Sequence, residues 1–343
     1  MTKAMAEGVS DRGLQKSPWL LAVGLGLGIG IIAVLGWVSL GVGAAGWQGW
    51  ASWGLGGSEP ETLGQVIIWQ VRWPRTLAAI AAGASLAVAG ALMQGLTRNP
   101  LADPGLLGIN GGAALAVVLA VFLGHQRDLS SYSLWAMGGA AIAAGAITTI
   151  ANLGQGGLSA LNLTLAGAAL TAIFSALTTG VLILSQRTLD DIRFWLAGSL
   201  IDRTLPLVHQ GLIPMGLGLA LALGLGRELT LLSLGETVAQ GLGQRPDRLK
   251  AVGLLSTVLL AGGAVSVVGQ LGFVGLVVPH GVRWLVGQDY RWILPYSAVL
   301  GAIGLLSLDI LLRWLLPTQE LPVGLILPIV GTPLFLYWVI RQT

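Results

Sequence analysis

The chain contains no cysteine, only three lysines (Lys3, Lys16 and Lys250) and only three histidines (His125, His209 and His280). Without cysteine there is no disulfide and no thiol catalysis. None of the lysines stands in the Gly-Lys-Ser/Thr setting that cradles phosphates, so the chain cannot hydrolyse ATP by a P-loop. No histidine has a second histidine or a paired carboxylate at metal-ligand spacing, so no metal site is expected. Intramembrane proteolysis lacks both an HExxH pair and an aspartate dyad. The letters Gly41-x-Gly43-x-x-Gly46 match a dinucleotide fingerprint but lie at the end of an apolar run without a βαβ unit. Charge is scarce as well: 10% of residues are charged, against about 25% in a soluble domain. The net charge of +3 therefore comes from few groups and gives no reason to expect a nucleic-acid partner. These absences argue against an enzyme.

What remains is apolar and small. Hydrophobic residues make up 54% of the 343, glycine supplies 52, and mean hydropathy is +0.80. That is the composition of an all-α polytopic membrane protein. Crossing ~30 Å of hydrocarbon takes about 20 residues. Ten runs qualify, near 19–41, 77–96, 105–123, 133–153, 163–184, 207–225, 249–269, 272–286, 293–316 and 323–340. The eighth is short and holds Pro279, which predicts a broken or partly re-entrant helix. Residues 1–17 read as a polar cytoplasmic tail. The run from Trp19 to Gly41 is too long for a signal-peptide core and reads as an uncleaved first span. Residues 18–343 then form a single transmembrane domain. With the N-terminus inside, ten spans leave eleven Lys and Arg on the inner side and seven on the outer, which favours cytoplasmic N- and C-termini.

Several segments carry more punctuation than lipid requires. Arg72 and Arg75 flank Pro74 before the second span, and Arg98-Asn99-Pro100 with Asp103-Pro104 end it. Within that span Gly83, Ala87, Ala91 and Gly95 recur every fourth residue, which predicts a packing seam. Asp309 and Arg313 stand one turn apart in the ninth span, either neutralising each other or with the acid orienting the base for a partner. Residues 233–247 read as a helix, a glycine-proline turn and a new span. Further blocks are Trp195–Leu200, Gly272–Arg283 with Gly287-x-Asp289-x-Arg291, Glu320–Gly324 and Gly331–Phe335.

Taken in order, these blocks resemble the permease subunits of the FecCD-like family, type II ABC importers of ferric siderophores, haem and vitamin B12. The resemblance covers residues 65–341. It implies the type II importer permease fold in the bacterial cytoplasmic membrane, surrounded by lipid. It also implies a second copy or close paralogue, two ATPase subunits carrying the ATP and Mg, and a periplasmic binding protein; no cofactor is implied for this chain. Residue by residue, it implies docking of the binding protein at Arg72, Arg75 and Arg313, with Asp309 and Glu320 beside them. It implies ATPase coupling through Gly235, Glu236, Ala239, Gly243 and Arg245. The pathway or gate would involve Gln94, Asn99 and the segment Leu158, Ser159, Ala160, Leu161 and Asn162. Ala160 and Leu161 depart from the small hydroxyl residues expected there, and Trp73 replaces an aliphatic residue. Ferric siderophore is the expected cargo, with vitamin B12 or haem as alternatives. An ion-coupled secondary transporter would need several intramembrane acids, and Asp309 alone qualifies.

Overall fold

The computed structural model describes residues 17–43, 63–124, 129–154, 157–317, 319 and 321–342. Lys3, Arg12, Lys16, His125, Arg127 and Glu320 lie outside the described residues. Among those described, the chain is helical and has no strand.

Helix α1 (Pro18–Gly41) begins with proline at its first turn, where the missing N–H is not needed. A short α2 (Leu63–Val66) runs through a π-helical stretch, Ile67–Arg72, into α3 (Trp73–Thr97). Pro74 explains the π stretch: it has no N–H to offer the Gln70 carbonyl and its ring would collide with it, so the helix widens just before it. The second span is thus one helical rod of 35 residues, starting well before residue 77. It stops at Arg98, whose φ of 51° is left-handed.

Asp103 accepts the Gly105 N–H (2.8 Å) and caps a 3-10 turn, Pro104–Leu107, that leads into α4 (Ile109–Phe122). Helices α5 (Leu129–Leu153) and α6 (Ala160–Leu184) follow, then the amphipathic α7 (Gln186–Leu196) and α8 (Leu205–Gly224). Two short helices, α9 (Gly226–Ser233) and α10 (Glu236–Gly241), precede α11 (Pro246–Val268), α12 (Val274–Val286), α13 (Tyr290–Leu315) and α14 (Val323–Gln342). Among the described residues, seven helices are long and apolar enough to cross a membrane; α4, α12 and most of α14 are shorter apolar helices. Each of the ten expected runs coincides with one of them.

The interior is built on α3 and α11, whose most apolar windows are 78% and 72% buried, whereas those of α1 and α6 are 11% and 6% buried and face outward. Lipid gives helices no hydrophobic reason to associate, so close backbone approach must do it. The expected seam of α3 meets α13. A Cβ on Gly83 would run into the Gly301 carbonyl, one on Gly301 would reach Ala87, and one on Gly95 would lie 2.8 Å from the Tyr290 ring. On another face, Gly90 meets the backbone of Gly275 in α12.

The expected break at Pro279 does not occur: α12 is continuous across it. Proline removes the donor that would serve the carbonyl one turn earlier, at Gly275. Gln94 of α3 supplies that donor instead, its Nε2 reaching the Gly275 carbonyl at 3.2 Å. The helix is simply short: 13 residues make about 20 Å.

Candidate functional site

The polar side chains collect at the two ends of the α3–α13 pair. From Arg75 to Arg98 along α3 is roughly 35 Å at the helical rise, about the thickness of the membrane.

At the first end, one carboxylate serves two guanidiniums. Asp309, wholly buried on α13, accepts from Arg75 Nε at 2.9 Å and lies 2.8 Å from Arg75 Nη2. Its other oxygen lies 2.9 Å from Arg313 Nη2. Arg313 also reaches the end of α1: Nη1 donates to the Ser39 and Val42 carbonyls (2.8 and 3.0 Å) and Nη2 to the Ser39 hydroxyl (2.6 Å). Arg72 donates to the Leu40 carbonyl at 2.6 Å, and the Ser39 and Thr76 hydroxyls share a hydrogen bond of 2.6 Å. Arg72, Arg75 and Arg313 together line a hollow of about 250 Å³ with Val42, Leu316 and Gln319. The three arginines and Asp309 are therefore brought together as one cluster. They are more buried than an open docking surface would be, and two of them hold the exit of α1.

A fourth arginine at this end escapes the sequence reading. Arg203, between α7 and α8, is 4% exposed, and its Nε and Nη1 find no hydrogen-bond partner among the described residues. Burial pushes its guanidinium down to about 10; Asp202 opposes the shift and the nearby charge of Arg75 adds to it. Nothing local in Ile201–Thr204 marks this residue, because the proximity to Arg75 comes from the fold. The Trp195–Leu200 block stitches neighbouring helices together here: Ser199 N–H donates to the Val268 carbonyl (2.8 Å), and the Gly198 carbonyl accepts from Gly324 N–H (2.9 Å).

At the second end, Gly235 (φ 121°) turns the chain from α9 into α10, a conformation that glycine reaches without a Cβ penalty. Glu236 opens α10 and is paired by Lys250 Nζ at 3.0 and 3.2 Å, with Arg98 Nη2 4.0 Å away. Ala239 is wholly buried under α10, whereas Leu234, Val238 and Leu242 project at 64%, 46% and 61% exposure. Val238 and Leu242 stand one helical turn apart and form a short apolar ridge, with Leu234 exposed on the α9 side of the Gly235 turn. Gly243 (φ 84°) closes the turn, and the exposed Arg245 precedes α11 beside a groove of about 380 Å³ shared with Glu228 and Arg248. Lys250 was legible in principle, being the single lysine beyond the first sixteen residues.

The expected gate residues fall in two places. Gln94 lies in the α3–α12 seam, donating to Gly275 and accepting from Arg283 Nη1 at 2.5 Å. Asn99 sits in the turn after α3, its Oδ1 accepting the Leu101 N–H. Leu158 and the N-cap Ser159 precede α6, and Ala160, Leu161 and Asn162 form its first turn. There the Ser159 hydroxyl caps α6 by accepting the Asn162 N–H (3.2 Å), and the Asn162 amide donates to the Gly157 carbonyl (2.9 Å). Leu161 is exposed and Ala160 half-buried. His280 is buried and stacks edge-on to Phe335, with ring centroids 5.8 Å apart.

Residues 31–341 match the profile of the FecCD transport family. The chain belongs to this family. It is 46% identical over 272 residues to the probable siderophore transport system permease protein YfiZ of Bacillus subtilis, covering 79% of this chain and 82% of that one. It is 44% identical over 277 residues to the ferric enterobactin transport system permease protein FepD of Escherichia coli, covering 81% and 83%. A solved structure described as an inward-facing metal-chelate type ABC transporter superposes with a TM-score of 0.82 at 30% identity, covering 95% of this chain and all of the other. The FecCD chain is thus a permease subunit of a type II ABC importer, a multi-pass protein of the cytoplasmic membrane whose role is translocation.

Proposed function

We propose that this FecCD permease imports a ferric siderophore, two copies (or one with a close paralogue) forming the pathway between them. A periplasmic binding protein delivers the cargo at the Arg72–Arg75–Arg313 end, where Asp309 orients the arginines and Glu320 is a further docking residue. Two ATPase subunits holding ATP and Mg engage the segment 233–247 at the other end. Both termini and residues 1–17 then face the cytoplasm. The observation that carries this reading is the placement of an arginine-rich hollow and an exposed apolar ridge at opposite ends of the α3–α13 pair. The hollow offers guanidinium forks that suit carboxylates; the Val238–Leu242 ridge, with Leu234 near it, offers a surface that a protein partner would cover.

The choice of cargo is supported by two relatives, named for siderophore and ferric enterobactin transport. Others are named for hemin and vitamin B12, so those cargoes are the second reading. The deciding experiment reconstitutes the permease with its ATPase and binding protein in liposomes and offers ferric siderophore, haem and cobalamin separately. ATP-dependent accumulation of the ferric chelate is expected. Accumulation of haem or cobalamin in its place would overturn the choice.

A further inference from the structure

The block Gly287-x-Asp289-x-Arg291 has no part in the sites above, yet it makes an unusual joint. Helix α13 begins at Tyr290, and its first N–H groups have no acceptor within the helix. Asp289 caps in the ordinary way, accepting the Arg291 N–H at 3.0 Å, and is clasped by the Arg291 side chain at 2.7 and 2.9 Å. Burial pushes its carboxyl up. The hydrogen bonds from Arg291 and Thr230 and the charge of Arg291 outweigh that and hold it below the usual carboxylate range.

The Tyr290 N–H is met from elsewhere, by the Thr230 hydroxyl of α9 at 2.9 Å. That hydroxyl has one proton, directed to the Gly226 carbonyl (2.9 Å) or to Asp289 Oδ1 (3.1 Å). A Cβ on Gly226 would lie 3.2 Å from the Arg291 Cα, so the two backbones are already in contact.

Both sides of this joint are tied onward. On the α9 side, Gln244 Nε2 donates to the Glu228 carbonyl (3.3 Å) and Gln244 N–H to the Ala239 carbonyl (3.0 Å), which binds α9, α10 and the following turn together. On the α13 side, the Tyr290 hydroxyl accepts from Arg283 Nη2 (3.1 Å), and Arg283 Nη1 donates to Gln94 on α3. Asp289 alone would start α13. The hydroxyl of Thr230 adds little to that helix, but it fixes where α9 sits against it.

We propose that Thr230 and Asp289 form the joint through which displacement of α9–α10 is delivered to the α3–α13 pair. They are positioning residues for transport. This rests on the reading of α10 as the ATPase contact. A push on the Val238–Leu242 ridge of α10 moves α9 with it through Gln244, and the Thr230–Tyr290–Asp289 bonds pass the movement to the base of α13 rather than letting α9 slide.

The test uses the complete transporter with its ATPase and binding protein in liposomes. Thr230→Val keeps the shape and removes the hydroxyl; Thr230→Ser keeps the hydroxyl. With Thr230→Val, ATP hydrolysis is expected to continue while cargo moved per ATP falls about tenfold or more; Thr230→Ser restores the ratio. An unchanged ratio in Thr230→Val overturns the proposal. A second measurement needs no loss-of-function variant and exploits the absence of native cysteine. Spin labels at Arg227→Cys on α9 and Gln288→Cys before α13, both exposed and outside the segment 233–247, should keep one narrow distance distribution with and without ATP analogue. A distance that shifts between nucleotide states shows that the joint slides, and overturns the proposal even where Thr230→Val does not fold. Failure of the underlying reading looks different: the ATPase would then not assemble with the unaltered permease through α10, and Glu236→Arg would leave hydrolysis untouched.

Discussion

Asp309 binds Arg75 through one carboxylate oxygen and Arg313 through the other, at 2.8 and 2.9 Å, so a single buried anion joins α3 to α13 and neutralises two cations at most in part. Breaking a buried pair by removing one partner leaves the other charge uncompensated, at a cost of about 3–5 kcal/mol. Asp309→Asn leaves two such charges. It is expected to lower the melting temperature of the detergent-solubilised permease more than Arg75→Met or Arg313→Met. A larger drop for either arginine variant would contradict the shared-anion arrangement.

The docking role predicts loss of binding-protein capture in the double variant Arg75→Glu, Arg313→Glu. Because Arg313 also holds the Ser39 and Val42 carbonyls, a fold control is needed. Co-purification of the ATPase with the double variant serves as that control. Capture of the loaded binding protein at unaltered affinity by a variant that still assembles would refute the docking role.

Glu236→Arg places a third cation beside Lys250 and Arg98. The site is half exposed, so the folding cost should stay within about 1 kcal/mol. The ATPase is nevertheless expected to dissociate or to run uncoupled from transport. Normal stimulation of hydrolysis by loaded binding protein would count against a coupling role for this glutamate.

Arg203 is a different kind of charge. Its pKa is about 10 in the folded chain, well below the ordinary guanidinium value, so the fold disfavours the cation. That penalty is on the order of 3 kcal/mol at one pKa unit per 1.36 kcal/mol. It is present in full below about pH 10 and fades as the pH rises towards the unfolded value. Arg203→Met should therefore raise the melting temperature at pH 7, with the advantage shrinking above pH 10. A destabilised Arg203→Met at neutral pH would mean that the guanidinium has an anion not visible in the chain.

Gln94→Leu tests the repair of α12. The Gly275 carbonyl, already deprived of a donor by Pro279, would lose the amide as well, and an unsatisfied buried acceptor costs about 1–3 kcal/mol. Faster hydrogen exchange over Val274–Val286 is expected, with α11 unaffected. Unchanged protection would show that the amide is not what keeps α12 whole.

The sequence reveals what repeats locally. Ten apolar runs, the four-residue period from Gly83 to Gly95 and the cap at Asp103 are all properties of neighbouring residues, and each has its counterpart in the fold. Pairings across long separations are not legible in this way. Arg75 and Asp309 are 234 positions apart and Thr230 and Tyr290 are 60 apart, and no periodicity relates them. The same limit explains Pro279, whose expected break is averted by a glutamine on another helix. It also explains why Arg72 and Arg313 could be read as charges without the carbonyls at the end of α1 that they engage. Residue types in the segment 233–247 were legible, whereas the only signal for the partner of Glu236 was the isolation of Lys250 in the sequence.

The contact of Gly83 with Gly301 bears on how a transporter of this build can work. Where two backbones touch, there is no layer of side chains to deform, so the helices cannot roll or slip past each other by small rotamer changes. With Arg75–Asp309 fastening one end and Gln94–Arg283–Tyr290 the other, α3 and α13 can move only as one rigid lever. A displacement received at the base of α13 then reappears at the arginine end, and opening and closing are the tilting of that lever against the helices around it.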